Sequence, residues 1–254
     1  MSILFLAWQD PVRRRWFTVG RLLRRRNKYV FTYTKGARAA QKSGFEPLVS
    51  FPVLEKHYES DEIFPLFANA VLSPNRPEYT NLIKWLSISH DKADPIAILA
   101  RTGGNSMTET LEIFPCPEPD SDNTYLVHFF VRGLRHQSPC AIDRVKTLKP
   151  GEELLLMADL QNPHDPNAYA LRTAEQNKND MHLLGYLPRY LAGELKRFER
   201  SDITKAIVEV VQVNASPAPI HFRVLCRMRM PWPEGHVPFS TEEYQPLNVS
   251  DKSP

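Results

Sequence analysis

The chain has 254 residues, 42% hydrophobic and 24% charged, with a formal net charge of +3 from 32 basic and 29 acidic residues. That composition belongs to a folded chain, and the length allows one large domain or two of ordinary size. Cys116, Cys140 and Cys226 stand alone with no CxxC pair, which argues against a disulfide framework or a cysteine-rich zinc site and suits a reducing cytosol.

Residues 1–9 are apolar, but the run is short for a signal peptide and no basic region precedes it. No segment approaches the roughly 18 apolar residues of a membrane span. A soluble, cytoplasmic protein is expected. Residues 3–8 read as an opening strand, Arg13 to Arg15 as a basic turn, and residues 16–23 as a second strand. Residues 24–28 read as a hairpin tip, and residues 29–33, rich in β-formers, as a third strand. Arginines are dense over residues 10–28. They fit either a phosphate or acidic-partner contact, or two solvated turns.

Residues 44–72 carry Pro47, Leu48, Ser50, Pro52 and Leu54, then Phe64, Phe67, Asn69, Leu72 and Pro74. With Val19, Gly20 and Leu22 before them, these positions resemble the N-terminal subdomain of HipA-type toxin kinases. Leu99 to Gly104 and residues 109–115 resemble its closing helix and strand. The resemblance covers about residues 3–117. It implies a module that supports a kinase and contacts its partner. No kinase-like catalytic loop or metal-binding Asp motif follows. The first half therefore reads as a docking or regulatory module, or as an antitoxin-like inhibitor of a separate kinase. Asp61, Phe64 and Phe67 read as cap and core rather than as a site.

Residues 114–123 are rich in Pro, Asp and Ser and mark a domain boundary, with a linker over 118–123. Beyond it, residues 125–131 read as a strand, 141–148 as a short helix or loop, and 154–158 as a strand. Asn162 to Asn167 holds too many turn formers for a strand. Residues 168–173 and 182–186 follow as strands, with Gly185 at a close approach. Pro188 opens a helix carrying Leu191, Leu195 and Phe198 on one side. Alternation over 203–213 and 221–230 gives two more strands. The expected fold is α+β: an N-terminal mixed β-sheet and helix subdomain, then a small OB-like β-barrel with one main helix over 124–232. Residues 233–254 read as an extended tail that packs through Phe239 and Tyr244, with Trp232 just before it, and is disordered at its end.

Three marks in this half resemble the HIRAN family: Gly133-Leu134-Arg135, the Asn162 to Ala168 turn, and Leu184-Gly185-Tyr186-Leu187-Pro188 before a helix. Members occur at the front of fork-remodelling helicases and as stand-alone bacterial proteins. The resemblance implies binding of single-stranded DNA, in some members at a 3′-hydroxyl end, and so roles in DNA repair or defence. It places the nucleic-acid site at Arg135, His136, Asn162, His164, Asp165, Tyr186 and Arg189. Arg135 can hold phosphate or stack on a base, and Arg189 is a further phosphate ligand. Asp165 can accept a hydrogen bond from a terminal hydroxyl. Positions 136 and 164 are usually aromatic in the family, and both are histidine here. Asp165 and Asn167 can equally brace the turn, His164 can be a turn residue, and Arg135 a surface arginine.

Catalytic signatures are missing. The eight histidines show no HxxxH or HxH spacing, Arg101 to Ser106 lacks the lysine of a phosphate loop, and Glu152-Glu153 and Glu242-Glu243 sit in turn or tail contexts. The expectation is a non-catalytic DNA-binding adaptor without cofactor or metal. The alternative is a toxin–antitoxin regulator of a HipA-like kinase with no DNA role.

Overall fold

The computed structural model describes residues 3–104, 110–174 and 180–248. Glu109, part of the polar run after Thr173, and the end of the tail lie outside the described residues. The chain divides into two compact units. The first holds Met1–Lys84, Ile88–Cys116 and Val237–Pro254; the second holds Trp85–Ser87 and Pro117–His236.

In the first unit, β1 (Ile3–Gln9) and β2 (Trp16–Arg25) form an antiparallel hairpin, and β3 (Lys28–Tyr33) continues it. The β2–β3 turn is the two-residue loop Arg26-Asn27, with φ of 49° and 69°. Two left-handed residues give the primed turn whose twist matches flanking strands. After α1 (Lys35–Gln41), the short β4 (Tyr58–Ser60) adds to β3. Residues 47–54 form no strand. Pro47 and Pro52 lack donors, and the Tyr33 hydroxyl takes a bond from Leu48 N (2.7 Å) and gives one to Phe51 O (2.8 Å). The Phe51 ring stacks on Phe31 at 3.9 Å.

Helix α2 (Pro65–Ala68) buries Phe67, but Phe64 rather than the exposed Asp61 sits at its N-cap. Helix α3 spans Tyr79–Trp85. Helix α4 (Pro95–Thr102) is closed at both ends: Asp94 Oδ1 accepts from Ala97 N, and Gly103 takes φ 72° after its last turn. Strand β5 (Leu111–Pro115) pairs with β1 to give the order β4-β3-β2-β1-β5. The C-terminal segment completes this unit. Leu247 N bonds to Tyr33 O, Lys35 N bonds to Gln245 O, and the buried Phe239 packs on Phe5, Phe114 and Tyr244.

The second unit is one six-stranded antiparallel sheet. It contains β6 (Thr124–Phe130), β7 (Glu153–Ala158), β8 (Tyr169–Thr173), β9 (Leu183–Tyr186), β10 (Ile207–Val213) and β11 (Val224–Pro231), in the order β6-β11-β10-β7-β8-β9. The sheet curls until its edges meet. Arg132, just past β6, exchanges two 2.9 Å backbone bonds with Tyr186 of β9. Gly185 permits this closure: a Cβ there would stand 2.3 Å from Arg132 O, and its φ is 148°. The barrel is filled by Tyr125, Val127, Leu171, Leu184, Leu191 and Met228 among others.

Helix α5 (Pro139–Val145) starts earlier than expected because Ser138 caps it. Helix α6 (Arg189–Leu195) is the helix expected after Pro188, and α5 is a second one of the same length. The strand expected over 203–213 begins only at Ile207, because residues 199–206 make helical bonds and form α7 (Arg200–Ile203). Likewise Ile220–Phe222 is a 3-10 turn, and its strand begins at Val224.

Candidate nucleic-acid interface

The point where the barrel closes also gathers the polar side chains. Gly133 follows Arg132 with φ 72° and turns the chain into the short 3-10 segment Leu134–His136. Leu134 is buried, while Arg135 and His136 are exposed. Arg135 Nε donates to His136 Nε2 at 2.9 Å. The Tyr186 ring lies against Gly133, where a Cβ would be 3.4 Å from it.

Tyr186 carries the site to the second loop. Its hydroxyl donates to Asp159 Oδ2 (3.2 Å), and the same oxygen accepts from Asn162 Nδ2 (3.0 Å). Burial first, and then the Asp159 carboxylate, push the Tyr186 phenol above its ordinary range. Asn162 Oδ1 accepts from the backbone N–H of both His164 and Asp165 at 3.0 Å. Asn162 therefore holds the turn, and the exposed His164 ring is the part presented to solvent.

Asp165 is mostly buried, with a side chain 14% exposed. Its Oδ1 accepts from Asn167 N (2.9 Å), and its Oδ2 faces Arg189 Nε at 3.6 Å. Arg189 also reaches His164 O, and Lys196 reaches Pro166 O, so helix α6 clamps the turn from below. The seven residues read from the sequence thus form two groups joined through Tyr186. Arg135 and His136 lie on one side; Asn162, His164, Asp165 and Arg189 lie on the other.

Beside the first group is an open pocket lined by Arg132, Arg135, His136 and His221 with Val131, Leu134 and Ile220. Among the described residues, no acidic side chain lines it. Desolvation, and secondly the Arg132 cation, hold the His221 imidazole below the usual histidine range. The pocket favours anions and flat rings: guanidinium groups bind phosphate, and imidazole rings can stack.

Residues 12–108 match the family described as the HipA N-terminal domain, and residues 125–230 match the HIRAN domain. The chain carries both domains. Among solved structures, a protein from Lactobacillus plantarum is 19% identical, with a TM-score of 0.30 over 42% of this chain and 96% of its own. The HIRAN domain of human HLTF is 24% identical, with a TM-score of 0.27 over 42% of this chain and 74% of its own. No curated protein matches.

Within the HIRAN domain, three residues join the site that sequence reading passed over. Asp159 organises both Tyr186 and Asn162, and its position three residues before Asn162 was the available signal. Arg132 and His221 line the pocket from segments about ninety residues apart, so local sequence gave no sign of their meeting.

Proposed function

We propose that this protein is a non-catalytic, cytoplasmic nucleic-acid-binding adaptor. Its HIRAN domain binds single-stranded DNA or free DNA ends, and its HipA N-terminal domain docks a partner protein. A HIRAN domain implies DNA binding. The observation that supports the finer reading is that Tyr186 packs on Gly133, at the start of the Leu134–His136 segment, while its hydroxyl meets Asp159, which holds the Asn162 that braces the His164–Asp165 turn. In this reading Arg135 and Arg132 hold phosphates, and His136 and His164 stack on bases. Asp165 takes a hydrogen bond from a terminal hydroxyl, while an esterified oxygen offers no proton and a terminal phosphate is repelled.

Fluorescence anisotropy of labelled single-stranded oligomers over a salt series tests this proposal. Binding should weaken as salt rises, with a log–log slope of about −0.7 per phosphate contacted. Arg135→Ala should weaken binding about tenfold or more, the worth of a charge-assisted contact. No binding at low salt by a folded protein refutes the reading.

The HipA N-terminal match at 12–108 favours a second reading, in which the protein regulates a separate HipA-like kinase. Among the described residues, no helix is long and apolar enough to cross a membrane. Mixing the purified protein with such a kinase should give a stable complex with altered autophosphorylation. Unchanged kinase activity and no complex at micromolar concentration would remove this reading.

A further inference from the structure

Charge along the chain is far more polarised than its net value suggests. Eleven of the 32 lysines and arginines lie in residues 11–45, where there is no Asp or Glu. The rest of the chain holds 21 such cations against 29 acids, a net of −8. The fold partly neutralises this block, since Lys28 pairs with Glu59, Lys35 with Glu242 and Arg38 with Glu55. Two groups of arginines are left at the two ends of β2.

One group is Arg13, Arg14 and Arg15 in the β1–β2 turn; the other is Arg24, Arg25 and Arg26 at the β2–β3 turn. Among the described residues, none of the six forms an ion pair within 4 Å. At the first tip, the buried Asp10 is the local countercharge, and its carboxylate is taken up by the backbone N–H of Val12 (2.8 Å) and Arg13 (3.1 Å). At the second, the nearby Glu59 already faces Lys28 at 3.9 Å. Arg15 lies over Phe17 and Arg24 over Tyr29, each 5.6 Å from the ring centroid, so both guanidinium groups are steadied at the tips.

The backbone supplies an independent sign. Arg14 has φ 58° and Arg26 has φ 49°, a left-handed conformation that glycine or asparagine adopts far more easily. Each tip therefore keeps an arginine where a different residue would relax the turn. At Arg26 the hairpin turn itself calls for this conformation, and the residue that fills it at each tip is a cation.

We propose that these two basic tips are a second nucleic-acid contact, binding the phosphate backbone of duplex DNA without regard to sequence or ends. Spacing favours duplex DNA. From Arg15 to Arg24 at roughly 3.3 Å per residue is about 30 Å, close to one helical turn of a duplex. All six side chains are arginine, whose planar fork matches phosphate oxygens. The site lies in the HipA N-terminal domain and does not rest on the HIRAN groove.

The test uses the full-length protein and a labelled, covalently closed duplex circle, which offers no end. The wild type should bind the circle with a strong salt dependence. Arg24→Gln/Arg25→Gln/Arg26→Asn, in which asparagine keeps the left-handed turn, should weaken binding about tenfold or more. It should also reduce the log–log salt slope by about 2 to 3. Arg13→Gln/Arg14→Asn/Arg15→Gln should act likewise. Both variants should unfold at wild-type temperature and keep wild-type affinity for a short single-stranded oligomer with a free end. That last arm reports the HIRAN groove, so the two sites can fail separately. No binding of the circle by the wild type, or equal binding by both triple variants, overturns the proposal. Displacement of the circle by polyglutamate as effectively as by DNA of equal charge also overturns it, because the tips would then be sites for acidic polypeptides.

Discussion

Gly185→Ala should open the barrel at the seam that builds the candidate site. The added Cβ would lie 2.3 Å from Arg132 O and 2.7 Å from Val131 Cγ1. The first of these is backbone, so the segment itself must move. At φ 148° the alanine also enters a region almost reserved for glycine, at about 1–3 kcal/mol. Moving the segment loses the paired Arg132–Tyr186 bonds, about 1 kcal/mol each. The expected destabilisation of the second unit is about 3–5 kcal/mol, or roughly 10–20 °C in its unfolding temperature. Thermal unfolding by circular dichroism, with amide exchange of residues 183–187, reads it. Gly193→Ala is the control: it lies inside α6 with nothing within 4 Å of a Cβ, and should stabilise by about 0.5–1 kcal/mol. An unfolding temperature for Gly185→Ala within about 2 °C of wild type would refute the seam as described.

Three further outcomes follow from buried polar groups. Burial raises the Tyr33 phenol to about 12. Its folded value lies above its unfolded one, so its contribution is complete below pH about 10 and is lost as pH rises towards 12. Tyr33→Phe, which orphans Leu48 N and Phe51 O, should cost about 1–3 kcal/mol in urea unfolding at neutral pH and show less of this alkaline loss. Arg144 is mostly buried between Asp180, 2.7 Å from its Nε, and Glu152. Arg144→Ala should cost about 3 kcal/mol at pH 7 by stranding two carboxylates. The Arg144 hydrogen bond holds Asp180 below its usual range. The gap between wild type and variant is therefore present above pH about 4 and should close as pH falls through the folded value. Cys226 is fully buried and its thiol is pushed well above the ordinary range, whereas Cys140 is exposed. Iodoacetamide at pH 8 should label Cys140 in the native protein and Cys226 only after unfolding.

Much of the fold was legible where one physical signal governs one segment. The β2–β3 hairpin of the first unit follows from β-formers flanking Arg-Asn, and Pro188 before an apolar stripe marks α6. Gly185 was readable as a close approach, although its partner, Arg132, was not. Local alternation misled at residues 203–206 and 221–223, where short helical turns hide inside β-like patterns. At the site, the turn residues were visible because Asn, Asp and Pro act on their own backbone. Their division of labour was not: Asn162 braces, Arg189 faces Asp165, and Asp159 ties Tyr186 of β9 to Asn162, contacts between segments distant in sequence. The docking of the C-terminal segment on β3 and α1 left no sequence sign beyond its aromatic residues.

The HIRAN groove as a reader of DNA ends is tested most directly by comparing two single-stranded oligomers that differ only at the terminus, one with a 3′-hydroxyl and one with a 3′-phosphate. The wild type should prefer the hydroxyl by about tenfold, the worth of one charge-assisted bond against one repulsion. Asp165→Asn keeps an oxygen for the Asn167 N–H and should bring the ratio close to one while leaving the turn intact. A wild-type ratio of one, or a preference that survives in Asp165→Asn, would contradict the assignment of Asp165 to the terminal hydroxyl.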